Sequence, residues 1–188
     1  MQFGRTRSIV LPVLTVVGLA LPALSFGSEY CFGDGSGIQW GGVCPCDNYS
    51  AAGSRQGCRN STGVGARLTC AGNATLSGDS LVLTTTGMRP DKWAVIFEGR
   101  LPDGNTAYGH SWMDGLDCVD SITRRVVTRK TDANGNLIYP ASGDPHISDG
   151  GGIQANSSRY YTVAYRDGTG PCGTKQNQSN GIAVFWFP

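Results

Sequence analysis

His110 and His146 are the only imidazoles in the 188-residue chain, and each has the oxygen-bearing neighbours that acid–base or nucleophilic chemistry uses. His110 lies in the stretch GHSWMDG at 109–115, while Asp144, Ser148 and Asp149 surround His146. The first stretch approaches the G-x-S-x-G nucleophile elbow, but Met113 replaces the second glycine and no helix is expected after it. A hydrolase using His110 or His146 with nearby Asp and Ser side chains is therefore the alternative reading, not the leading one. Thiolates at Cys44, Cys46 and Cys58 suggest zinc, yet Cys44-Pro45-Cys46 departs from the usual C-x2-4-C spacing and no histidine lies near it. The stretches CFGDGSG and DANGN have calcium-loop composition but lack the D-x-[DN]-x-[DN]-G pattern and its later Glu, so Asp34 reads as a turn residue rather than a calcium ligand. No metal and no cofactor is expected. Trp40 and Trp112 sit in loops rich in glycine or polar residues, where an indole is free to stack on a sugar, and Asp114 stands beside Trp112 as a further ligand-binding candidate. Trp93 and Trp186 lie in apolar strand patterns and are expected in the core. Arg124, Arg125, Arg129 and Lys130 form either an anion-binding patch or, as expected here, the charged protection of an edge strand.

The elements that must position these residues are strands. Only two Glu and three Lys occur, against 28 Gly, so the strong surface helix formers are missing and almost no helix is expected. Arg5 and Arg7 precede an apolar stretch from Ile9 to Leu21, and the small-residue pattern Ala23-Leu24-Ser25 follows: a secretory signal peptide over residues 1–25. Pro12, Thr15 and Gly18 interrupt that stretch, which is too short to span a bilayer. Losing Arg5 and Arg7 from 15 basic residues brings them level, within one, with the 14 acidic ones. That near-neutral balance lacks the field that nucleic acid or an anionic membrane would require. A cysteine-rich segment is assigned to 26–62 and a β domain to 63–188. In the latter, eight runs have strand length, β-branched or aromatic content and turn residues at their edges: ARLTCAGNATLSG, DSLVLTTTG, KWAVIFEGRL, TAYGHSW, SITRRVVTRKT, NLIYP, RYYTVAYRD and GIAVFWFP. They predict an all-β, antiparallel two-sheet sandwich, jelly-roll or Ig-like, with a disulfide-stapled, loop-rich N-terminal segment. Pro102-Asp103-Gly104 predicts a hairpin from Trp93–Leu101 to Thr106–Trp112, and Asn134-Gly135 a second from Val126-Val127 to Leu137-Ile138. Tyr161, Val163 and Tyr165 share one strand face, as do Ile182, Val184 and Trp186, and both faces are expected in the core. Ala183, Phe185 and Phe187 make the last strand apolar on its other face as well, which predicts a strand that is central or covered on both sides.

All seven cysteines follow the leader, and a secreted chain meets an oxidising compartment, so disulfides are expected. Pro45 stiffens the link between Cys44 and Cys46, which therefore reach outward. Pairing among the first four favours Cys31–Cys44 with Cys46–Cys58 over the crossed Cys31–Cys46 with Cys44–Cys58. Cys118 and Cys172 then pair with each other, and Cys70 is left over. Five N-x-[ST] sequons, at Asn48, Asn60, Asn73, Asn156 and Asn177, would carry glycans only in a eukaryotic secretory pathway.

The stretches CFGDGSG, CPCDN, GCRNSTGVGARL and YYTVAYRDG…C…SNGIAVFWFP together resemble a family of secreted, cysteine-rich bacterial proteins of unassigned function, abundant in planctomycete-like organisms. The family's middle motif, G-D-G-L-R-C, is matched here by Met113-Asp114-Gly115-Leu116-Asp117-Cys118, where Asp117 takes the place of Arg and removes a basis for anion binding. Cys70 is an addition to the family's usual set. The resemblance implies secretion and a disulfide framework and assigns no activity. The resulting expectation is a secreted, non-enzymatic surface, matrix or carbohydrate-interaction module. Its partner would be an extracellular polysaccharide or a cell-surface protein, and no nucleic acid and no transmembrane anchor are expected.

Overall fold

In a computed structural model of the chain, Met1 and residues 27–188 are described; the expected leader, apart from Met1, lies outside them. All eight runs contain strands, and three short strands join them. The larger sheet combines β1 (Gly27–Tyr30), β4 (Trp93–Pro102), β7 (Val119–Lys130), β9 (Ser157–Arg166), β10 (Gln176–Gln178) and β11 (Gly181–Trp186). Its order is β1-β11-β9-β4-β7, with β10 also pairing to β9. The second sheet has the order β2-β3-β8, from Arg67–Ala71, Val82–Thr86 and Leu137–Tyr139. All these pairings are antiparallel.

The two sheets close over one apolar core. Leu68, Leu83 and Leu137 of the smaller sheet face Ile96, Val163 and Val184 of the larger one. Period-2 alternation drives this arrangement. Tyr161, Val163 and Tyr165 point inward on β9, as do Ile182, Val184 and Trp186 on β11. Strand β11 lies inside the sheet, between β1 and β9. Its outer face is open, however, because Phe185 and Phe187 pack edge-on against each other and stay exposed. Trp93 is also exposed, at 54 %, and does not belong to the core as its sequence pattern suggested.

Neither predicted hairpin forms. Pro102-Asp103-Gly104 opens a short 3-10 turn over Asp103–Asn105, after which the chain leaves the sheet. β4 pairs instead with β7 and β9. The next strand, β5 (His110–Trp112), pairs with β6 (Gly115–Asp117) as a separate two-stranded ribbon. Asn134-Gly135 does form a tight turn, with Gly135 at φ 77° and its N–H donating to Asp132 O at 3.0 Å. That turn carries the chain from β7 in one sheet to β8 in the other, so the two strands it joins are not partners.

The cysteine pairing differs from the expectation in the same way. The three disulfides are Cys31–Cys118, Cys44–Cys58 and Cys46–Cys172. Only Cys44–Cys58, half of the crossed alternative, stays within the N-terminal segment. Cys31 cannot meet Cys44, because β1 inserts beside β11 and delivers Cys31 to the start of β7. There the Tyr30 hydroxyl donates to Cys118 O at 2.6 Å. Cys118 is thereby taken, and Cys172 reaches back to Cys46. Cys70 forms none of these bonds. Tyr30, Leu116, Val119 and four of the cysteines make a second small core under the β5–β6 ribbon.

Candidate functional site

The outer face of the larger sheet is where this sequence leaves apolar surface in the open. Along β4 the alternation places Ala94, Ile96 and Glu98 inside, so Trp93, Val95 and Phe97 must face out. The β5–β6 ribbon rises beside them, held by the burial of Leu116, by the Cys31–Cys118 bond and by Asp114 N–H donating to Gln176 O at 3.0 Å. Between the sheet and the ribbon lies a groove of about 540 Å³, lined by Trp93, Val95, Phe97, Ile122, Trp112 and Asp117 among others. Arg125, Arg166, Gln176 and Gln178 are among its other polar lining residues. The Arg125 guanidinium lies 6.0 Å from the Phe97 ring centre and the Lys130 ammonium 5.7 Å from that of Trp93, so cations already use the exposed ring faces.

Asp117 belongs both to this groove and to a cluster with Asp103 and His110. His110 and Asp117 are cross-strand neighbours in the ribbon, and Asp103 N–H donates to Cys118 O at 3.2 Å, one residue further on. One ligand-type atom from each of the three lies within 4.8 Å of the others, and His110 Nδ1 contacts Asp103 Oδ2 directly. Burial raises the Asp117 carboxyl above the ordinary range; the Asp103 charge adds to this, while the Val119 N–H, the nearby His110 and Gln178 oppose it. The cluster can relay a proton or offer ligands to a cation. Its imidazole is 59 % exposed.

The sequence-based candidates are scattered. Trp112 is in the groove. Trp40 is exposed and stacked on Tyr108, with ring centres 5.7 Å apart, and is not among the groove-lining residues. His146 stands in an exposed loop, its backbone N–H donating to Asp149 Oδ2 at 2.8 Å. The Ser111 hydroxyl donates to Val43 O at 2.5 Å and so is engaged away from the neighbouring His110 ring. Asp34 accepts from the N–H of Ser36 in its own turn and from that of Arg55 in a separate loop, and Asp132 accepts from those of Asn134 and Asn136 in its own turn, so main-chain donors occupy both carboxylates. Of the basic residues on β7, an edge strand, Arg124 and Arg129 bind Glu98 and Asp144, whereas Arg125 joins the groove. Asp114, in the turn that joins β5 to β6, is fully buried.

Trp93, Phe97 and Asp103 were missed as site residues. For the first two a signal existed in the period-2 pattern, because Trp93 and Phe97 fall on the same face as Val95. No protein-family model, curated protein or solved structure matches the chain.

Proposed function

We propose that the chain is a secreted, non-enzymatic binding module whose groove takes an extracellular polysaccharide. One observation carries the reading: Trp93, Phe97 and Trp112 are left in contact with solvent and gathered in a single groove with polar side chains at hand. A pyranose ring offers C–H faces that pack on indole and phenyl rings, and hydroxyls that Arg125, Gln176 and Asp117 can bind. Exposed aromatic patches of this kind mark binding surfaces. Three disulfides fit an oxidising compartment, and no helix of the described residues is long and apolar enough to cross a membrane.

The test is affinity electrophoresis of the purified chain through gels containing soluble polysaccharides of differing charge and linkage. At least one should retard the wild-type chain, and Trp93→Ala and Trp112→Ala should each weaken retention roughly tenfold. Equal retardation of wild type and both variants would contradict the groove as the site. The contact of His110 with Asp103, next to Asp117, favours a second reading as a hydrolase acting on the bound chain. In that case the double variant His110→Ala, His146→Ala would bind normally while losing the release of reducing ends. Under the leading reading the wild type releases none.

A further inference from the structure

We infer that Asp114 and Asp167 hold a calcium ion buried between the β5–β6 turn, the end of β9 and the cysteine-rich segment. Both residues are 0 % exposed. Asp114 Oδ1 accepts from Thr174 N–H at 3.1 Å and from its hydroxyl at 2.5 Å. Ser61 N–H lies 3.1 and 3.0 Å from the two Asp167 oxygens, and the Ser61 hydroxyl donates to Oδ1. Every one of these donors is neutral. Among the described residues no ion pair reaches either carboxylate; Arg89 donates instead to the main-chain oxygen of Asp167, at 3.4 Å.

Buried carboxylates are normally paired, protonated or bound to a metal. Here the second oxygens of the pair converge. Asp114 Oδ2 is buried with no hydrogen-bond partner. A Cβ placed on Gly170 would lie 1.8 Å from that atom and 3.0 Å from Asp167 Oδ2, so both oxygens pack against Gly170 and lie no more than 4.8 Å apart. Two Ca–O bonds of about 2.5 Å span such a separation. Asn48 Oδ1 is also buried without a hydrogen-bond partner, and the amide nitrogen of Asn48 donates to the main-chain oxygen of Asp114 at 2.7 Å. An all-oxygen donor set selects a hard cation. Calcium tolerates irregular, nearly water-free coordination, whereas magnesium demands an octahedron and keeps its waters. The frame is fixed in advance, since Cys46–Cys172 pins the loop that carries Gly170 and Thr174.

The probe is calcium chloride added to the full purified chain after treatment with EDTA. Native mass spectrometry should find one calcium per chain, and calorimetry a dissociation constant at or below about 1 mM. Saturation should raise the melting temperature by about 5 °C. Asp167→Asn and Asp114→Asn should abolish both responses, and circular dichroism in EDTA checks that the variants fold. Asp103→Asn should keep them, because the surface cluster is not the site. A wild-type chain that takes up no calcium and melts unchanged would overturn the inference and leave a shared proton between the carboxylates. Calcium retained in Asp114→Asn but lost in Asp103→Asn would overturn it by moving the ion to the surface cluster.

Discussion

Glu98 sits on the core face of β4, where Arg124 Nη2 and the Tyr161 hydroxyl each donate to its Oε2 at 2.9 Å, and Arg159 Nε lies 3.8 Å from Oε1. Burial, and then the Glu98 charge, push the Tyr161 phenol well above its usual range, which keeps it a donor. Glu98→Ala would leave two largely buried guanidinium groups without their counter-charge. It should cost about 3–5 kcal/mol, read by urea unfolding. A loss below about 1 kcal/mol would mean that water replaces the carboxylate without penalty. This residue also explains why Trp93 was misplaced by sequence reasoning. In Trp93-Ala94-Val95-Ile96-Phe97-Glu98 both alternating faces are apolar except for Glu98. A lone charge argues that its own face meets solvent. Its partners, Arg124 and Arg159, are too distant in sequence to reveal that the charge is buried. The place of Trp112 outside the core, in the groove, was legible because its loop lacks an apolar pattern that could claim it for the core.

Strands were legible wherever a run had its own alternation, and their partners were not. The short β1, β6 and β10 carry too few residues to show a period, and they are the strands that place Cys31, Asp117 and the rim of the groove. Turn chemistry identified the tight turn at Asn134-Gly135, but a turn fixes direction over four residues and says nothing about which sheet receives the next strand. After β8 the loop returns to the other sheet through Asp144, which accepts from Arg129 of β7 at 2.9 Å and from Ala141 N–H at 2.8 Å. The Arg129 hydrogen bond, and then that of Ala141, hold the Asp144 carboxyl below its ordinary range. A carboxyl lowered in the folded state stabilises the fold at pH values above its unfolded pKa, and this contribution disappears as the pH falls through the folded value. Asp144→Asn should therefore flatten the acid limb of the melting curve below about pH 4 and change nothing in the steepness above it. Parallel acid limbs for wild type and variant would show that the Arg129 contact contributes nothing in solution.

Across the whole molecule, two of the three disulfides tie the N-terminal segment to distant parts of the sandwich. That the cysteines form disulfides was legible in the sequence; connectivity was not, because a cysteine meets whatever the sheet order brings to it. Cys46–Cys172 closes a separation of 126 residues and Cys44–Cys58 one of 14. On the chain-entropy model these correspond to about 5 and about 3 kcal/mol. Calorimetry of Cys46→Ser, Cys172→Ser should show the larger fall in melting temperature, and the reverse order would mean that local strain outweighs loop closure. The frame so held presents the groove, and the four tryptophans report on it separately. The most direct measurement is a nitrogen–proton correlation spectrum of the four indole N–H groups, recorded while an oligosaccharide of a retarding polysaccharide is titrated in. Trp93 and Trp112 should shift together with a single affinity, while buried Trp186 and Trp40, stacked on Tyr108, stay in place. Movement of Trp40 with Trp93 and Trp112 unmoved would contradict the groove as the binding site.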